Sequence, residues 1–130
     1  LVRSILAGSL FALLLFLPMT APRAGLDTAS LPANSAFELV VVEAEGCIYC
    51  QLFRRDVLPA YQTSEQGKDA PVRFVDVNDV GHAQADLTSP VDVVPTFVVL
   101  KSRHEVGRIS GYVGPENFFH SINYLLASAP

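Results

Sequence analysis

Apolar and polar positions follow distinct patterns along the 130-residue chain. Residues 5–17, Ile-Leu-Ala-Gly-Ser-Leu-Phe-Ala-Leu-Leu-Leu-Phe-Leu, form an uncharged apolar run with Arg3 ahead of it. The run falls short of the ~20 residues of a membrane span. It fits the h-region of an export signal with Arg3 as its positive n-region. With cleavage expected near Ala24, residues 1–24 read as a signal peptide, either cleaved there or retained as an anchor. Residues 25–36, rich in Ala and Ser, read as a linker or N-terminal arm, and residues 37–130 as the folded domain.

Within that domain, Phe37-Glu38-Leu39-Val40-Val41-Val42-Glu43 is a continuous apolar run with a β-branched centre, as in a strand buried on both faces. Gly46 ends it, and from Cys47 the period becomes helical, with Phe53, Val57 and Tyr61 on one face. Pro59 is expected to kink or end this helix. Residues 62–71 read as a polar surface loop, and Val72–Val77 as the next strand. A short helix is expected around His82–Leu87, ending before Pro90. Thr96–Leu100 reads as a buried strand, followed by a turn at Lys101–His104 and a partner strand at Glu105–Ser110. Gly114-Pro115-Glu116 is a helix start, with Pro at the first helical position and an acid in the first turn. Phe118, Ile122 and Leu125 then share a face. Phe118 and Phe119 are read as core, although with Tyr112 they also qualify as a partner surface. The order β-α-β-(α)-β-β-α predicts an α/β fold, a three-layer α/β/α sandwich with a mixed central sheet and a C-terminal β-hairpin plus helix.

Charge narrows the function. The full chain carries a formal charge of −4. Without residues 1–24, which hold Arg3 and Arg23, seven basic residues face 13 acidic ones, a charge of −6. No basic stripe is left to release counterions from a nucleic-acid backbone, so nucleic acid is excluded as a partner.

The two cysteines form Cys47-Ile48-Tyr49-Cys50, at the junction of a predicted strand and a predicted helix. At a helix N-terminus the free N–H groups and the dipole stabilise a thiolate. Cys47, at the exposed end, is the expected nucleophile. Cys50, one turn inward, is placed to attack a mixed disulfide formed at Cys47. Two other uses of the pair compete. A bridge closing so short a loop removes little chain entropy and stabilises weakly. A zinc site wants four ligands, and His82, His104 and His120 are isolated, so no metal or other cofactor is expected. Copper handling by a metallochaperone is the form of metal chemistry that stays open. Val94-Pro95-Thr96 precedes a buried strand. A cis Pro95 there would offer the Val94 backbone groups to an extended substrate, whereas a trans Pro would only punctuate the loop.

Together these features resemble the thioredoxin fold over roughly residues 37–127. The segments 42–50, 54–59, 96–98 and Gly111-Tyr112-Val113-Gly114-Pro115-Glu116-Asn117-Phe118-Phe119 resemble more narrowly the periplasmic SoxS-type thioredoxin-like proteins of bacterial sulfur-oxidation systems. That resemblance implies a periplasmic thiol–disulfide oxidoreductase acting as a reductant. It makes Cys47 the attacking thiol, Cys50 the resolving thiol and Pro95 the cis-Pro; beside these, Ile48, Tyr49 and Val94 are expected to bind substrate together with Pro95. It implies disulfide-bearing client proteins, a membrane thiol reductase of the CcdA or DsbD type as electron donor, and a monomer. A redox-responsive regulatory protein without turnover is the alternative. The sequence departs from thioredoxin where the family's buried Asp becomes Val41 and its Lys partner falls near Phe74. Proton handling for Cys50 then needs another group, for which Glu43 is the first candidate and Glu45 the second. Both acids would oppose thiolate formation at Cys47.

Overall fold

The computed structural model describes residues 35–130; the expected signal peptide and residues 25–34 of the arm lie outside them. The apolar run at the head of the domain becomes strand β1 (Phe37–Glu43). It is followed by α1 (Ile48–Asp56), α2 (Leu58–Thr63), α3 (Glu65–Asp69) and β2 (Val72–Asp76). A 3-10 segment (Val77–His82), β3 (Thr96–Lys101), β4 (His104–Ser110) and α4 (Pro115–Ser128) complete the order. The sheet runs β2-β1-β3-β4, with β1 and β2 parallel and the other neighbours antiparallel.

Strand alternation explains why the central runs lack polar positions. Leu39, Val41, Phe97 and Val99 face one side, where they meet Phe53, Val57, Tyr61, Phe118 and Ile122 from the helices. Val40, Val42, Val98 and Leu100 face the other and are covered by Val77, Val80, Leu87, Val91 and Val94. Both faces of β1 and β3 are therefore dry, and a strand in that position must be apolar throughout. The helical layer is knit by aromatic rings: Phe118 meets Phe53 at 5.1 Å, Phe97 at 5.0 Å and Tyr61 at 5.6 Å between ring centroids. Phe118 is buried and Phe119 packs half-buried beside it, both in the core. The opposite layer is thin, built from the 3-10 segment and an extended loop.

Three points differ from the sequence expectation. Residues 62–71 are not a loop: α2 continues to Thr63, and α3 begins after Ser64, whose Oγ accepts the Gly67 N–H at 3.1 Å. The end of this region is fixed by the buried Tyr61 hydroxyl, which donates to the Ala70 carbonyl at 2.6 Å. Burial pushes the Tyr61 phenol far above its ordinary range. The break expected at Pro59 falls at Val57 instead. Pro59 sits in the first turn of α2, where a missing N–H costs nothing. The helix expected around His82–Leu87 is also absent. The 3-10 segment stops at His82, and Gln84 at φ 52° is in the left-handed region, which a helix cannot continue through.

Gly67 lies inside α3, where Gly→Ala ordinarily stabilises by ~1 kcal/mol. Here a Cβ would stand 2.0 Å from the Tyr61 carbonyl oxygen and 2.9 Å from its carbon, both backbone atoms with little room to move. Gly67→Ala is therefore expected to destabilise by ~1–3 kcal/mol in urea unfolding. A gain in stability would contradict the packing described.

Candidate active site

The site is made where β1 stops. After Glu43 the chain turns through Ala44–Cys47, closed by the Cys47 N–H donating to the Ala44 carbonyl at 3.2 Å. Gly46 at φ +73° supplies the left-handed residue that this turn needs. Cys47 is the N-cap of α1, in extended conformation, and its Sγ accepts the Cys50 N–H at 3.1 Å. The two cysteines form a disulfide, their Cα atoms 5.3 Å apart. Cys47 is half-buried and Cys50 is buried against the core, whereas Ile48 and Tyr49 are 64% and 55% exposed. In the reduced protein a thiolate at Cys47 would keep both the N–H donor and the positive end of α1.

The neighbouring charges are arranged in pairs. Glu43 accepts from Arg54 Nε at 2.9 Å and from Nη2 at 2.6 Å, and the Arg54 guanidinium lies 3.6 Å from the centroid of the Phe74 ring. The Glu43 hydrogen bond pushes the Arg54 pKa up. Both Glu43 oxygens are thus engaged by a cation, so a proton-transfer role would require breaking the pair. The same pairing reduces the negative charge that Glu43 presents to Cys47. Glu45 is exposed. Val41 and Phe74 stand opposite each other in the β1–β2 register, an apolar pair where the sequence comparison with thioredoxin expects an acid and a base.

At the head of β3, the Val94–Pro95 peptide is cis and Pro95 is buried. The Pro95 carbonyl accepts the Gly111 N–H at 2.8 Å, and Thr96 Oγ1 donates to the Val93 carbonyl at 2.6 Å. These bonds set the Val93–Pro95 segment beside Gly111–Val113. Between them and α1 runs an open groove of about 730 Å³, lined by Tyr49, Leu52, Asp56, Val94, Tyr112 and Pro115 among others. Of the residues expected to meet substrate, Tyr49 and Val94 line this groove. Ile48 is exposed but does not line it, and the buried Pro95 does not line it either. Leu52, Asp56 and Pro115 carried no signal in the sequence beyond their place on helix faces and at a helix start. Asp56 is held below its ordinary pKa by its hydrogen bond to Arg55. Tyr112 packs edge-on against Phe53, and its buried hydroxyl has no hydrogen-bond partner among the described residues. Burial, with the Asp56 charge adding to it, pushes that phenol up.

A second pair lies on β4. Glu105 accepts from Arg108 Nε and Nη2, both at 2.6 Å, and from the Thr88 N–H at 2.7 Å. The Arg108 bond holds the Glu105 carboxyl below its ordinary value of 4.5 against an opposing effect of burial. Because the folded-state value is depressed, the pair's stabilisation is present above about pH 4.5 and is lost as pH falls through the folded value. The difference in unfolding free energy between the wild type and Glu105→Gln should therefore shrink between pH 7 and about pH 3. A difference that stays constant across that interval would contradict the pairing. Among the described residues, no cluster of His, Cys, Asp or Glu is arranged to hold a metal, and no helix is long and apolar enough to cross a membrane.

Residues 25–126 match the family model described as a thioredoxin-like domain. The chain is similar to the crystal structure of the periplasmic thioredoxin SoxS from Paracoccus pantotrophus in its reduced form. The identity is 31% and the TM-score 0.67, over 70% of this chain and 96% of that one. The thioredoxin of Fasciola hepatica is 24% identical, with a TM-score of 0.52 over 70% of this chain and 83% of that one, a likeness of fold. No curated protein sequence matches the chain. With the disulfide at the head of α1 and the mixed sheet behind it, these likenesses make the chain a member of the thioredoxin-like family and a thiol–disulfide oxidoreductase.

Proposed function

We propose that this oxidoreductase is an exported, periplasmic reductant of protein disulfides. The observation that carries the reading is the placing of the two sulfurs: Cys47 half-buried at the N-cap of α1, Cys50 buried behind it, with an open groove alongside. In the reduced enzyme the Cys47 thiolate attacks one sulfur of a client disulfide. That S–S bond breaks, a Cys47–client disulfide forms, and the released client thiolate takes a proton. Cys50, as thiolate, then attacks the Cys47 sulfur, releases the second client thiol and closes the Cys47–Cys50 disulfide. Two electrons pass to the client. The groove would seat the chain flanking the client cysteine, with Tyr49 against it and the Val94 backbone and Pro95 beside the exchanging sulfurs.

Because the periplasm is kept oxidising, an enzyme working in this direction needs electrons from across the membrane. The likeness to a periplasmic thioredoxin named SoxS supports a membrane thiol reductase of the CcdA or DsbD type as donor, and a client carrier protein in sulfur oxidation whose cysteine must stay free. Export would rest on residues 1–24, with the mature domain acting as a monomer.

Cys50→Ser tests the mechanism. It leaves the attacking sulfur and removes the resolving one, so periplasmic extracts should contain protein adducts of the variant that DTT releases. Absence of such adducts, with the variant folded and exported, would falsify the exchange mechanism. Insulin reduction with DTT as donor separates the enzyme from a regulatory protein of the same fold, which would show no turnover.

A further inference from the structure

The segment leading to the groove is held by side chains from another strand. Arg108 donates from Nη1 to the Pro90 carbonyl at 3.0 Å and from Nη2 to the Ser89 carbonyl at 2.9 Å. Glu105, paired with that guanidinium, accepts the Thr88 N–H. Three consecutive residues of the loop are therefore fixed by one ion pair, whose side chains are only 17% and 3% exposed for Arg108 and Glu105. Upstream, the same loop follows the free edge of β4: the Asp86 N–H donates to the Arg103 carbonyl at 2.9 Å, and the Glu105 N–H donates to the Asp86 carbonyl at 3.1 Å. Downstream, three to four residues beyond Pro90, stand Val93 and Val94, which form one wall of the groove.

The pair exists because the strand is irregular. Strict alternation puts residues three apart on opposite faces of a strand. Opposite β4, however, Val99 pairs with Gly107 and the next residue, Leu100, pairs with Glu105, so β4 carries one extra residue at this point. Such a bulge re-aims side chains, and here it returns Glu105 and Arg108 to the same side, toward the loop. A bidentate Arg–carboxylate fork fixes direction as well as distance.

We infer that Glu105 and Arg108 are positioning residues for client binding: their ion pair moors Thr88–Pro90 and thereby sets the Val93–Val94 wall of the groove against the Cys47–Cys50 disulfide. This rests on the reading of the groove as the client site. It predicts a division between substrates. A protein disulfide needs the wall, whereas a small disulfide that reaches only the sulfurs does not.

The test compares wild type, Arg108→Gln and Arg108→Lys with insulin as the protein disulfide and oxidised glutathione as the small one. The Lys variant keeps the charge but loses the fork that spans two carbonyls and a carboxylate, which guards against a Gln variant that does not fold. KM for insulin should rise about tenfold in a folded variant with kcat little changed, the size expected from losing charge-assisted bonds. The rate with glutathione and the Cys47–Cys50 potential should not move. An unchanged KM for insulin in folded Arg108→Lys overturns the inference and leaves the site's function intact. An equal loss with both disulfides, or a shifted potential, also overturns it, because the pair would then act on the sulfurs themselves. A wild type that reduces neither substrate overturns the reading of the site and this inference with it.

Discussion

Cys47→Ser is expected to abolish disulfide reduction, by at least ~10³-fold, since the variant lacks the only sulfur placed to begin exchange. The argument is geometric. Cys50 is 4% exposed and sits one turn into α1 against the core, so a client disulfide cannot approach it in line. Cys47 is reachable, and its sulfur already receives the Cys50 N–H at the positive end of the helix. A hydroxyl in its place keeps the N-cap hydrogen bond, because Ser is a favoured capping residue. Stability should therefore change little beyond the loss of a bridge that closes a very short loop. The expected pattern in an insulin assay is a folded protein with no turnover. Residual turnover near the wild-type rate would mean that the chemistry lies elsewhere.

The largest effect on stability is expected at Phe118. Its ring meets Phe53, Tyr61, Phe97 and Phe119, which come from α1, α2, β3 and α4, so one side chain ties the helical layer to the sheet. Phe118→Ala would remove the ring from a position only 2% exposed and leave a cavity walled by rings that cannot easily collapse together. Such truncations cost ~3–5 kcal/mol, against a total of ~5–15 kcal/mol for a domain. Urea unfolding should show the midpoint falling by about a fifth or more, with the slope unchanged. A loss below ~1 kcal/mol would mean that the aromatic cluster is not the core's keystone. Because Phe53 also carries the edge of Tyr112 at the groove, the same variant should weaken client turnover.

The parts of this fold that could be read from sequence are those where burial is two-sided. The runs in β1 and β3 lack polar positions because helices cover one face and the thin layer the other, and the buried face of α1 and its junction with α2 shows in Phe53 and Val57 for the same reason. Local polarity hides the rest. Residues 62–71 look like a loop by composition, yet a Ser cap and the buried Tyr61 hydroxyl make two short helices there, and neither signal has a hydrophobic period. The stretch after β2 holds apolar residues at helical spacing, but a left-handed Gln84 diverts the chain into an extended cover for the sheet.

The site divides in the same way. The cysteines and the Val-Pro-Thr segment are local motifs and were legible. The groove is not local, since its walls come from α1, from Val93–Val94 and from the loop before α4, and only folding brings them together. Glu43 stands near Cys47 in sequence, while in the fold its carboxylate is held by Arg54 from α1. Glu105 and Arg108 were invisible for a different reason. An alternating strand assigns them to opposite faces, and the one local sign of the bulge that reunites them is Gly107 inside the strand.

The reduction potential of the Cys47–Cys50 couple, measured by equilibration with glutathione or DTT redox buffers, tests the central claim most directly. A protein disulfide reductant should poise this couple near thioredoxin's value, about −270 mV. A value near that of DsbA, about −120 mV, would contradict the account, because electrons would then flow from client to enzyme.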